Sequence, residues 1–160
     1  MPDSSSRQPG EPPRIVLDTN VVLDWLYFAG PRCAALGDAV ARGHVRWIAS
    51  APMRDELEHV LARGCLSARW PDGAASARAG WQRWATIVEA TPALPSPGMR
   101  CTDADDQKFI DLALGARAAA LLSADRAVLR LARRATAWGV AITTVAGWRL
   151  APPPVPAVSA

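Results

Sequence analysis

Four short stretches of this chain are almost uninterruptedly apolar: RIVLD (14–18), VRWIAS (45–50), AALLSAD (119–125) and GVAITTV (139–145). A strand with one wet face alternates apolar and polar residues, whereas continuous apolarity suits strands covered on both faces, as in a parallel sheet. Parallel strands need crossovers, and helical patterns fall between the runs at roughly 20–28, 31–42, 52–63, 76–90, 104–117 and 125–136. The order β-α-α-β-α-α-(β)-α-β-α-β predicts an α/β fold, a three-layer α/β/α domain around a central, mainly parallel sheet. Residues 71–80 and 91–98 read as loops, the second with room for a short strand. No internal repeat is visible.

One domain over 14–150 is expected in a chain of 160 residues and 17.0 kDa. The polar, proline-rich segment 1–13 and the proline-rich tail 151–160 are expected to be poorly ordered. The N-terminus lacks the apolar core of a signal peptide, and no run is long enough for a membrane span. Cys33, Cys65 and Cys101 are widely separated and lack a C-x-x-C pair, which points away from zinc or a disulfide framework and towards a reducing, cytoplasmic setting. The net charge of +3 favours an anionic partner only mildly, and base composition accounts equally well for the arginine bias.

Function is sought in the carboxylates. In open parallel sheets functional groups gather at the carboxyl ends of the strands. Asp18 ends the first run and Asp125 the third; taken singly, each also suits a helix N-cap. In 52–63, Met53, Leu57, Val60 and Leu61 form an apolar stripe with Glu56 at its edge, which alone reads equally as a surface glutamate. In CTDADDQKFIDLALGA (101–116), Phe109, Ile110, Leu112, Ala113 and Ala116 define the buried face. Asp106 falls near the middle of that face, Asp103 reads as the N-cap, and Asp105 complements the helix dipole. An acid aimed along a core face needs a cation or several donors. Asp18, Glu56, Asp106 and Asp125 thus come out pointing at the strand ends, where they would repel unless a divalent cation neutralised them. Oxygen-only ligands suit Mg²⁺ or Mn²⁺, and metals so held serve phosphoryl displacement. The residues themselves therefore read as a metal-dependent phosphodiesterase or nuclease.

The ordered set IVLDTNVVLDWL, SAPMRDELEHVL and CTDADDQKFIDLALGARAAALLSADRAVLRL resembles the PIN-domain ribonucleases, in particular VapC-type toxin components of bacterial toxin–antitoxin pairs. The resemblance covers about residues 14–145. It implies a PIN-like fold and a cytoplasmic endoribonuclease that hydrolyses RNA with one or two Mg²⁺ or Mn²⁺ ions, leaving a 5′-phosphate. Asp18, Glu56, Asp106 and Asp125 match the family's acidic catalytic and metal-binding positions, and Asp18 and Asp106 are expected to contact the ion directly. Asn20 matches an asparagine that steadies the first aspartate, Ser123 a hydroxyl that lines the site, and Asp103 a supporting acid. The implied partners are RNA, a cognate antitoxin and a second copy of the chain.

Other residues have plainer readings. His59 suits a helical pair with Asp55, His44 a helix exit, and Asp24 a position outside the site. Arg126, Arg130, Arg133 and Arg134 suit a solvated helix face, with RNA contacts from Arg126 and Arg130 as the alternative. The tryptophans read as core or interface, with Trp81 and Trp84 an antitoxin or dimer contact if exposed. Two competing functions stand beside the nuclease: a catalytically silent PIN-like module that binds RNA or protein, and a haloacid-type phosphatase. The phosphatase needs an acid two residues after the first aspartate, where this chain has Asn20.

Overall fold

The computed structural model describes residues 10–63, 68–89 and 97–152. Cys65 and most of the expected disordered ends, 1–9 and 153–160, lie outside those residues. Five strands form the sheet: β1 (Arg14–Leu17), β2 (Arg46–Ala49), β3 (Ala85–Ile87), β4 (Ala120–Leu122) and β5 (Ala141–Thr143). Their order is β3-β2-β1-β4-β5, and every neighbouring pair is parallel. Ile15 lies opposite both Trp47 and Ala120, and Leu17 opposite Leu122. Ile15, Val16 and Leu17 are all buried although successive side chains point to opposite faces, so helices cover both faces of the sheet. The predicted three-layer α/β/α arrangement is the one observed.

The helices follow the predicted positions with local changes. The first, α1 (Thr19–Val22), runs directly into a π-helical turn over Leu23–Tyr27, closed by the Phe28 amide donating to the Leu23 carbonyl. A 3-10 turn at Pro31–Cys33 precedes α2 (Ala34–Ala41), and α3 spans Ala51–Ala62 with Pro52 in its first turn. The helix predicted over 76–90 is instead α4 (Gly73–Trp84), which begins inside the expected loop and gives way at once to β3. The possible strand in 91–98 falls mostly outside the described residues, and Pro97–Met99 is a 3-10 turn. A 3-10 turn, Ala104–Asp106, opens α5 (Gln107–Gly115), which packs on β1 and β4. The last predicted helix is broken at Arg130 and Leu131 into α6 (Arg126–Leu129) and α7 (Ala132–Ala135).

The core is centred on the sheet. Phe109 and Ile110 of α5 and Leu57 of α3 are fully enclosed with Trp47, Ile48, Leu121 and Leu122, each such side chain contributing about 1.5–3 kcal/mol by leaving water. Trp47 stacks edge-on against Trp81 at 4.9 Å and tilts against Trp25 at 5.6 Å. Trp81 is therefore core, and it cannot form the exposed pair with Trp84 that its spacing allowed.

From β1 the chain builds outwards to β2 and β3, then returns to place β4 on the other side of β1. The strand order reverses there, so the crevice outside the carboxyl ends of β1 and β4 is the place where such sheets bind ligands.

Candidate active site

Asp18 follows the last residue of β1 and stands at the N-cap position of α1, but its side chain makes no capping bond. It is 3 % exposed, and its Oδ2 accepts the Ser123 hydroxyl at 2.6 Å across the crevice. Ser123 is wholly buried after β4, and its oxygen also accepts the Asp125 amide at 3.0 Å. Burial pushes the Asp18 carboxyl up; the Ser123 hydroxyl and the Asn20 backbone amide pull it down, and the charges of Glu56 and Asp125 push it up again. Asn20 therefore acts on Asp18 only through the nearness of its main-chain amide, while its own residue surface is exposed.

The Ala104–Asp106 turn delivers the second aspartate. Gln107 pins the preceding segment, accepting the Cys101 amide at 2.6 Å and donating to the Met99 carbonyl at 3.0 Å. Asp103 caps the turn by accepting the Asp105 amide at 3.0 Å. Asp106 is 9 % exposed, and its buried Oδ2 has no hydrogen-bond partner among the described residues. Its carboxyl is pushed up to about 7, first by burial, then by the Asp18 charge, then by the adjoining Asp125 carboxylate. Asp125 caps α6, accepting the Ala127 amide at 2.8 Å, and still faces the crevice. Asp103, Asp106 and Asp125 bring carboxylate oxygens within 4.8 Å of one another. An all-oxygen donor set with an unpartnered buried oxygen fits a hard divalent cation such as Mg²⁺ or Mn²⁺.

Glu56 is held differently. It is half-buried midway along α3, one oxygen accepting the Thr19 hydroxyl and the other lying 2.9 Å from the Lys108 ammonium. Lys108, on α5, also donates to the Asp105 carbonyl. Sequence reasoning missed Lys108, and it assigned Asp103 only a supporting role although that carboxylate stands among the clustered oxygens. The signal for Lys108 was its singularity, because every other basic side chain except the two histidines is arginine.

Beside Asp103 and Asp125 opens a groove of about 710 Å³ lined by Arg100, Thr102, Ala127, Arg130, Arg133 and Arg134. Arg126 is exposed and is not among its lining residues. Asp24 is outside the acidic cluster, where its carboxylate accepts the buried Cys33 thiol at 3.4 Å. Burial, joined by the Asp24 charge, pushes that thiol up to about 12 and keeps it unreactive. His59 sits 3.0 Å from the Arg63 guanidinium, whereas Asp55 lies 3.8 Å from Arg54.

Comparison with known proteins gives the family and the fold. No curated protein matches the chain. A chain from the crystal structure of VapBC2 from Rickettsia felis, bound to a DNA fragment from their promoter, is similar with a TM-score of 0.56 at 11 % identity. That similarity covers 81 % of this chain and 96 % of the other, and it concerns the fold. The family model of the PIN domain matches residues 14–127, from β1 to the first turn of the helix that follows Asp125, and the chain belongs to the PIN-domain family.

Proposed function

We propose that this chain is a metal-dependent endoribonuclease, with residues 14–150 as the nuclease unit, and that it acts as the toxin of a bacterial toxin–antitoxin pair. The observation that carries the nuclease reading is Asp106, a carboxylate nine-tenths buried with an unpartnered oxygen and two further acids around it. Nothing in stability favours such an arrangement without a cation. Asp106, Asp103 and Asp125 would hold Mg²⁺ or Mn²⁺, with Asp18 close enough to feel their charge. When bound, the ion neutralises the acids and offsets the negative charge that builds on a phosphodiester under in-line attack by water.

The remaining residues position these groups. Ser123 fixes Asp18 with the Asn20 amide close by, and Asp125 is fixed by its own helix cap. Glu56 is oriented by Thr19 and Lys108, where it can take a proton from the attacking water. Arg130, with Arg100, Arg133 and Arg134, lines a path for RNA phosphates next to the acids. Arg126 remains a second RNA contact from the exposed face of α6. The antitoxin partner is proposed from the resemblance to VapC-type toxins and the likeness to a VapBC2 chain. A second copy of the chain and a cytoplasmic setting are proposed from the same resemblance. No helix among the described residues is long and apolar enough to cross a membrane.

The test is cleavage of a labelled single-stranded RNA with EDTA, Mg²⁺ or Mn²⁺, comparing wild type with Asp18→Asn and Asp106→Asn. Wild type should cut only with metal and leave 5′-phosphate ends, with each variant slowed at least about 100-fold, the scale of removing one electrostatic stabiliser of the reacting group. Cleavage in EDTA, or full activity in both variants, would sink the mechanism. A silent RNA-binding module would bind the same RNA and leave it intact in every condition.

A further inference from the structure

Lys108 is the only lysine of the chain, and it is turned into the acidic site. Its ammonium lies 2.9 Å from Glu56 Oε1 on α3 and donates to the Asp105 carbonyl of the turn that carries Asp106. Oxygens from two elements therefore converge on one positive charge. The other Glu56 oxygen is taken by the Thr19 hydroxyl, so Glu56 stands apart from the group formed by Asp103, Asp106 and Asp125. The acids thus fall into two groups with different cation requirements. The aspartate trio includes an orphaned oxygen that nothing among the described residues satisfies. Glu56 already has its cation.

Phosphodiester hydrolysis is often served by two positive centres about 4 Å apart, one at the attacking and one at the leaving oxygen. An ammonium is a compact point charge with three N–H donors. With two of them directed at Glu56 and Asp105, the third is met among the described residues only by the face of the Phe109 ring, 4.9 Å from the ammonium, a weak contact that a phosphate oxygen can replace. We propose that Lys108 takes the place of a second metal ion: the site holds one divalent cation on the aspartate trio, and the Lys108 ammonium supplies the other positive charge that meets the substrate phosphate. This rests on the metal-dependent nuclease reading and fixes its ion count. It also explains why Glu56 is kept from joining the trio. A lysine in that position needs no second ion to be captured before the phosphate can be engaged.

The experiment is a calorimetric titration of the full chain, stripped with EDTA, with Mn²⁺ alone. Wild type should bind one Mn²⁺ per chain. Lys108→Met, which frees Glu56, should bind a second, and adding Glu56→Gln to it should return the count to one. Lys108→Arg should keep one. RNA cleavage by Lys108→Met should be lost at Mn²⁺ that fills only the first site and should recover as the second fills. Lys108→Gln, checked for a native thermal transition, replaces the methionine variant if that fails to fold. Two ions in wild type, or one ion with unchanged affinity in the methionine and glutamine variants, would overturn the role of Lys108 and leave the nuclease reading standing. A wild type that binds no Mn²⁺ would overturn both.

Discussion

Asp106 and Asp125 stand side by side, yet their carboxylates are occupied differently. Asp125 accepts a helix-capping amide, whereas Asp106 keeps a buried oxygen without a partner among the described residues. The metal-free protein relieves that cost by holding a proton: folded Asp106 titrates near 7, an unfolded aspartate near 3.8. Because the folded value is the higher one, the native state binds the proton more tightly, and the resulting stability is full below about pH 3.8 and lost as pH rises through about 7. In EDTA at about pH 8, Asp106→Asn is expected to melt about 2–8 °C above wild type, and the gap should close towards about pH 5. Differential scanning fluorimetry of both proteins across that range checks it; an equal gap at every pH would refute the protonation of Asp106. Such a gain would mark Asp106 as a residue kept at the expense of stability. At this scale much was legible. Asp18 and Asp106 were identifiable as acids placed where solvation cannot explain them, one after an apolar strand and one on a core face. Lys108 was hidden because a lysine on an amphipathic helix ordinarily reads as solvent-facing, and only the fold reveals that Glu56 lies opposite.

The π turn at Leu23–Tyr27 and α4 meet through glycines. A Cβ on Gly73 would lie 2.6 Å from the Tyr27 ring, and one on Gly80 2.6 Å from Leu26 Cδ2. The ring at Gly73 is buried and stiff, while the leucine end at Gly80 can rotate. Gly73→Ala should therefore lower stability by about 1–3 kcal/mol in urea unfolding. Gly80→Ala should cost less, since the mid-helix preference for alanine of about 1 kcal/mol offsets the crowding. Equal losses at the two positions would show that the local geometry does not set the cost. The same region shows why one strand escaped sequence reading. β3 is three residues long, lies at the sheet edge, and leaves Thr86 and Ile87 exposed. It carries no buried apolar run, and it follows α4 without an intervening turn. β1, β2 and β4 announced themselves because their neighbours bury both faces, whereas β5, the other edge strand, was visible through its apolar run although Ala141 is exposed.

Across the whole molecule most charges are mixed, as in the pairs Arg42–Asp38 and Arg78–Glu58, but around the crevice they are sorted. The chain carries only +3 overall, yet the strand ends collect acids while Arg100, Arg130, Arg133 and Arg134 line the adjoining groove. Sequence spacing indicated a basic helix face, but Arg100 joins it only through the fold. In an Asp106→Asn background that leaves RNA uncut, the double change Arg130→Ala and Arg133→Ala should weaken single-strand binding. It should also flatten the dependence of log K on log salt by about 0.7 for each RNA phosphate that is no longer neutralised. Arg126→Ala should change both less. Fluorescence anisotropy from about 50 to 200 mM salt measures the slopes, and an unchanged slope in the double variant would remove the groove from the substrate path.

The bond between Ser123 and Asp18 joins residues 105 apart in sequence, and it depends on β4 docking against β1. During synthesis the first aspartate leaves the ribosome long before its hydroxyl partner, and Asp125 emerges only afterwards. A chain of this topology therefore has no assembled site for most of its translation, so that, under the proposed function, RNA around a nascent copy would meet only separated acids.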